Sequence, residues 1–502
     1  MFPTKSIVLA FLLLPAGGLA RAQVTLPHVQ VPTLPGLPTE PLNRTVNGVL
    51  DQADPQRLRE LRQIRVRNLL RTNRTVLEAD PRGAPIIRNE VVALSPTPAA
   101  LEGARAAGFT VGRTRTLEGL DVSIVVLQAP PGMSTRRALE RLRRDDPAGT
   151  YDYNHVYLES GGAEFSSAGA TLTIAAADTS ALPVSAIGAA HASALPVTAM
   201  GAAHASALPV TAMGAAHASA LPVTAIGAHA TTLSMAAMGA ADVRGDSSVS
   251  TKVGLIDGGV QRSHPVFNGV TVHEHGCTGG SVPGAHGTAV ASLLVGQSDV
   301  FHGAAPGAEL FAADVYCGLA TGGALDSVAE AFAWMSREKV PVINISLVGP
   351  ANVLLEQIVR VVTARGHIVV AAVGNDGPSA PPLYPAAYPE VVAVTGVDGK
   401  DRVLVEACRG KHVDFSAPGA NMSAAGLDVP FGIVRGTSFA APIVAGLLAR
   451  QLIAVDKARA DAAIAALIAQ ATDLGARGVD KIYGNGLVGE ELRPPERLAT
   501  VR

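Results

Sequence analysis

The spacing of hydrophobic and polar positions changes rhythm three times along the chain. Residues 55–71 place Leu58, Leu61, Ile64, Val66, Leu69 and Leu70 on one stripe, with arginines over the remainder, which predicts an amphipathic helix. Residues 86–159 then carry strand patterns at 91–94, 110–116, 120–127 and 151–158 and helical patterns at 98–107 and 134–144. This β-α-β-β-α-β order predicts a small α+β sandwich. From about residue 242, β-branched runs at 253–256, 309–315, 340–345, 367–372 and 391–394 alternate with helical stretches at 288–294, 325–337, 353–365 and 439–453. Continuously apolar strands alternating with helices imply an α/β unit, a doubly wound and mostly parallel sheet covered on both faces.

The segments outside these patterns read differently. Lys5, the apolar run 7–14 and the small residues Ala20 and Ala22 have the layout of a signal peptide over residues 1–22. The run is too short to span a bilayer, so the expectation is an exported protein, periplasmic or extracellular. Residues 23–84 join a Pro-rich linker to the amphipathic helix. The arginines of that helix read as a solvated face whose apolar stripe packs on the next unit, in preference to a membrane-binding patch. Residues 161–241 are Ala-rich and hold a repeat of 13 residues that begins at Ser180, Ser193, Ser206 and Ser219. A proline in every copy prevents one continuous helix, which favours a linker. Metal binding by His191, His204, His217 and His229 is disfavoured, because ligands so far apart on such a chain have no fixed geometry.

Composition narrows the functional classes. At 502 residues the chain is too long for one compact domain. Its formal net charge of -2 gives no whole-chain case for binding nucleic acid or an anionic membrane. Hydrophobic residues at 48% and charged residues at 16% exclude wholesale disorder. In an exported chain the three cysteines, Cys277, Cys317 and Cys408, allow one disulfide and one free thiol. Spacing does not choose the pair; the placement of Cys277 and Cys317 in loops near one edge of the expected sheet favours that pairing.

Four short motifs in the α/β region carry chemistry. In G-L-I-D-G-G, Asp257 ends a buried strand, where α/β folds place their sites. His286 opens a helix of small residues in H-G-T-A-V-A-S. Asn375, in A-A-V-G-N-D-G just beyond a buried strand, can aim its amide at a developing oxyanion. In G-T-S-F-A-A-P, Ser438 starts a long apolar helix whose N–H groups suit an oxyanion. Gly436 permits the tight turn before it, and Pro442 is expected in the first helical turn.

Taken in order over residues 253–487, these motifs resemble the subtilisin-like serine peptidases, the subtilases. Further marks are Gly303-Ala304-Ala305-Pro306, Asp414-Phe415-Ser416-Ala417-Pro418-Gly419 and Tyr483-Gly484-Asn485-Gly486-Leu487. The resemblance implies a serine endopeptidase. In that reading Ser438 is the nucleophile, His286 the base and Asp257 its orienting partner, and Asn375 with the Ser438 N–H stabilises the oxyanion. It further implies that protein or peptide substrates lie as an extended strand along Ser346, Leu347, Val348 and Gly349, near Gly374. A bulky apolar side chain before the cleaved bond is the expectation. The chain departs from the family pattern at Gly258, Ala289 and Val348. The loop 296–302, which often carries calcium ligands in relatives, is short here and does not support calcium; no metal site, nucleotide or redox cofactor is suggested.

The resemblance also gives residues 85–160 a role, that of a ferredoxin-like propeptide acting as an intramolecular inhibitor, with its last strand entering the cleft. The peptidase domain then spans 242–502, and the protein is made as a self-processing zymogen. The alternative is a catalytically impaired binding protein of the same fold, motivated by the three departures.

Overall fold

The structure is a computed structural model and describes residues 55–160, 251–319, 321–427 and 429–500. The signal-like segment, the Pro-rich stretch 24–42 and the 13-residue repeats lie outside the described residues.

The first unit opens with helix α1 (Pro55–Thr72). Its sheet comprises β1 (Leu77–Ala79), β2 (Pro85–Leu94), β3 (Thr110–Leu117), β4 (Val122–Gln128) and β5 (Thr150–His155), with helices α2 (Pro98–Ala106) and α3 (Thr135–Asp145) in the connections. All pairings are antiparallel. Strand β2 is central, between β4 and β5, with β3 outside β4 and β1 along the start of β2. Side chains alternate across this sheet. Val91, Ala93, Val125 and Leu127 face Leu139 and Leu142 of α3, whereas Val92, Ile124 and Val126 join the core of the second unit.

The second unit is built on a seven-stranded sheet in the order β14 (Phe415–Pro418), β13 (Val392–Val397), β12 (Ile368–Ala372), β10 (Val342–Ile345), β7 (Lys252–Asp257), β9 (Glu309–Asp314) and β8 (Val272–His275), every pairing parallel. Alternation again sorts the side chains. Ile368, Val370 and Ala372 of β12 pack with helices α4 (Ala285–Val295), α7 (Thr437–Ala449) and α8 (Lys457–Gln470). Val369 and Ala371 pack with α5 (Leu325–Arg337) and α6 (Val353–Ala364) on the opposite face. The two outermost strands escape the apolar-run signal. Strand β8 is V-H-E-H and β14 is F-S-A-P, each half-polar or interrupted as edge strands can be.

The units dock through α5 and α6. Arg113 pairs with Glu90 at 2.8 Å and with Asp326 of α5 at 3.1 Å, and Asn154 donates to both carboxylates. Asp152 accepts from the N–H of Val353 at the start of α6, a negative charge at a helix N-terminus. Beyond β5 the chain continues as β6 (Leu158–Glu159), which leaves its own sheet and pairs antiparallel with β11 (Leu347–Val348) of the second unit. Cys277 and Cys317 form a disulfide, and Cys408 stays free, its thiol pushed by burial to about 12. Among the described residues no helix is long and apolar enough to cross a membrane.

Candidate active site

Asp257 is the last residue of β7, and His286 lies in the first turn of α4. Gly287 permits their approach, since a Cβ there would fall 2.2 Å from the Gly258 carbonyl oxygen. His286 Nδ1 and Asp257 Oδ1 are 2.8 Å apart, with both residues buried. Nδ1 therefore carries the proton, and the lone pair of Nε2 has no hydrogen-bond partner among the described residues. Burial works to lower the imidazole's affinity for a proton. The charge and hydrogen bond of Asp257, with the charge of Glu159, outweigh it and hold the ring above its ordinary range. The ring packs against Phe439, centroids 5.5 Å apart, beside the residue that follows Ser438.

Ser438 is the second residue of α7. Pro442 is not in the first turn, as its sequence position suggested, but inside the helix. It lacks the N–H that would bond the carbonyl four residues earlier, which is that of Ser438. That carbonyl is taken instead by Ser346 Oγ, at 3.1 Å, and Asn344 donates in turn to Ser346 Oγ at 3.0 Å. The proline thus ties the nucleophile candidate's backbone to the end of β10.

Asn375 follows β12. Its Oδ1 accepts from the N–H of Thr437 at 3.1 Å, while Thr437 Oγ1 accepts from the N–H of Gly374. With the oxygen so held, Nδ2 is turned towards the cleft, where it donates to the carbonyl oxygen of Ser160. Ser160 follows β6 directly. Its N–H donates to the Ser346 carbonyl at 3.1 Å, and its Oγ lies 2.5 Å from Ser438 Oγ. Glu159 and Leu158 pair with Leu347 and Val348. Tyr157, fully buried, donates its N–H to Gly323, and Tyr316 donates to its carbonyl. Gly349 exchanges backbone hydrogen bonds with Tyr384.

The structure brings the nine residues singled out from the sequence around the segment 157–160: Ser438, Asn375 and Ser346 bond Ser160, Leu347 and Val348 pair with Glu159 and Leu158, Gly349 packs on Tyr157, Asp257 and His286 lie beside Glu159, and Gly374 precedes Asn375. Sequence reasoning expected the strand ending at Leu158 to enter here, but missed Glu159 and Ser160, which continue it. Ser160 had one local signal, a strand pattern followed at once by S-G-G. Glu159 had none. Its carboxylate comes within 4.8 Å of donor atoms on both Asp257 and His286, and burial raises its affinity for a proton. A second surprise is α1, whose Arg62 guanidinium pairs with Asp376 at 3.0 Å, next to Asn375. Burial pushes the Asp376 carboxyl up, with Arg62 acting against it. Part of the arginine face is therefore not solvated; it meets the acidic rim of the cleft.

A family model described as the subtilase family matches residues 248–486. The chain is 34% identical over 223 residues to subtilisin BL of Lederbergia lenta, covering 42% of this chain and 79% of that protein. To subtilisin DY of Bacillus licheniformis it is 31% identical over 258 residues, covering 49% of this chain and 92% of the relative. Among solved structures, fervidolysin of Fervidobacterium pennivorans, a keratinolytic enzyme related to subtilisin, aligns with a TM-score of 0.55 at 18% identity. That alignment covers 82% of this chain and 62% of fervidolysin, a likeness of fold.

Proposed function

The chain belongs to the subtilase family of serine endopeptidases, and on that premise we propose that it is an exported zymogen that cuts itself after Ser160. One observation carries this reading. The Ser160 carbonyl oxygen accepts from Asn375 Nδ2 while its N–H is held by Ser346, on a strand already paired with β11. A peptide bond held in this way beside Ser438 is a substrate bond in register.

The chemistry follows from these atoms. Ser438 Oγ attacks the Ser160 carbonyl carbon and gives its proton to His286 Nε2. Asp257 keeps the other ring nitrogen protonated and stabilises the imidazolium. The oxyanion forms against Asn375 Nδ2 and the Ser438 N–H. The bond to the nitrogen of Gly161 then breaks, and that nitrogen leaves with the proton from His286. Water, deprotonated by the same imidazole, releases Ser160 as a carboxylate. Residues 23–160 become the propeptide, with Ser160 as its C-terminus; residues 1–22 serve as the export signal, and the repeats remain as an N-terminal extension of the peptidase.

Two features support an inhibitory role for the propeptide. Its last residues occupy the strand position of a substrate beside Leu347 and Val348. The Arg62–Asp376 pair brings α1 onto the cleft rim as well. Burial of this carboxylate makes the pair worth more than an exposed ion pair, though both side chains keep some contact with water.

Intact mass of the purified full chain, wild type beside Ser438→Ala, tests the proposal. The expected result is a wild-type fragment beginning at Gly161 and a mutant still joined across that bond. Two uncut chains, or cutting that persists in Ser438→Ala, would overturn self-processing.

A further inference from the structure

The same cleft holds an indication of what this peptidase cuts. We infer that the subsite receiving the residue before the cleaved bond is closed by Val348 and Leu383, so that the enzyme accepts only small side chains there. The inference rests on the catalytic reading above, since it takes Ser160 as the residue whose carbonyl is attacked.

Ser160 is clasped between two backbone segments, with Ser346 holding its N–H and Asn375 its carbonyl. These contacts set the segments 346–348 and 373–375 on either side of Ser160. Between them lies Gly374, next to Asn375, with φ +97°. The missing side chain of Gly374 leaves no room to spare. A Cβ built there would stand 2.5 Å from Leu383 Cδ1 and 3.5 Å from both Val348 Cγ1 and Cys408 Sγ. The three side chains therefore converge on the point where a pocket would have to deepen. Val348 is fully buried, Cys408 nearly so and Leu383 only 7% exposed, all within one apolar cluster.

Neither wall can easily retreat. Val348 is fixed by its neighbour Gly349, which is held to Tyr384 in both directions, and by its burial in the apolar cluster. Leu383 is tied to the same bridge through its neighbour Tyr384. A substrate with phenylalanine or leucine at this position would have to displace packed side chains, and close-packed interiors resist such overfilling. Serine, alanine and glycine fit without rearrangement, and the chain's own Ser160 is of this kind. The branched residue at 348 and the leucine at 383 thus replace the bulky preference expected from the small walls Ala371, Ala372 and Gly374.

The test uses the full chain, self-processed and freed of its propeptide, and a peptide series identical except before the cleaved bond. Alanine and serine peptides should be cut with a kcat/KM about 100-fold above phenylalanine and leucine peptides, the range a few methylenes can command in an apolar site. Val348→Gly and Leu383→Ala should each raise cleavage of the large peptides and narrow that ratio. In the precursor, Ser160→Phe should stall processing at this bond. A wild-type enzyme that cuts phenylalanine as readily as alanine overturns the closed subsite even if both widened variants fail to fold. Failure of Ser438 to take up an active-site phosphonate would overturn the catalytic reading and this inference with it.

Discussion

Asp257 and His286 form one buried aspartate–histidine pair, at 2.8 Å, and Asp80 and His155 form another, at 3.3 Å. The two histidines are almost equally hidden from solvent, His286 at 3% exposure and His155 at 2%. They differ in the second ring nitrogen. His155 Nδ1 accepts from Asn352 Nδ2 at 2.9 Å, so the ring is saturated and serves as a bolt between the first unit and the start of α6. His286 Nε2 has no hydrogen-bond partner among the described residues. A buried polar atom left unpaired is costly. An aspartate beside a histidine is thus also a structural motif; under the proposed function it is the unpartnered nitrogen that lets His286 serve as a base.

The same substitution at both pairs should separate them most sharply. Asp257→Asn should cut the self-cleavage rate by about 10⁴, a scale that belongs to subtilisin itself, because an asparagine no longer holds the productive tautomer. Asp80→Asn should change that rate by less than about 10-fold, the scale of one hydrogen bond, and should instead alter stability against pH. Burial opposes ionisation of Asp80, but hydrogen bonds from His155, Ala84 and Arg82 outweigh it, and the carboxyl is held below its ordinary 3.8. Its stabilisation is therefore complete above that value and lost as pH falls through the lower folded one. Unfolding of the Ser438→Ala precursor should show this acid sensitivity, and Asp80→Asn should flatten it.

A smaller loss is expected at the oxyanion. Asn375→Ala should slow cleavage by about 10²–10³, again the scale set by subtilisin, with the full-length chain accumulating on a gel time course. The smallest effect concerns Glu159. Its negative charge helps hold His286 protonated, and a protonated imidazole cannot accept the Ser438 proton. Glu159→Gln should move the acid limb of the self-cleavage profile to lower pH and leave the plateau in place. A limb that stayed put would mean that Asp257 alone sets the imidazole.

The two pairs also show what could be read before folding. The four motifs around Asp257, His286, Asn375 and Ser438 were legible because each is a local event, a strand end, a helix start or a turn. The alternation of apolar runs with helices marked five of the seven central strands. It missed β8 and β14, since half-polar edge strands carry no continuous apolar signature. Pro442 was misplaced by a turn, because helix starts are defined by capping geometry that residue types only suggest.

The amino-acid sequence by itself determined the layered α/β fold, the order of the four motifs and the presence of a small α+β unit ahead of them, because period, small residues and turn chemistry act over a few residues. Only the tertiary structure decided the particular contacts, with Ser160 reaching Ser438 across 278 residues, Arg62 reaching Asp376 across 314 and His155 reaching Asn352 across 197. It also decided that Val348 and Leu383 meet at Gly374. Such contacts depend on how completed elements dock, and no local periodicity records the partner that a side chain will meet once its own element has formed.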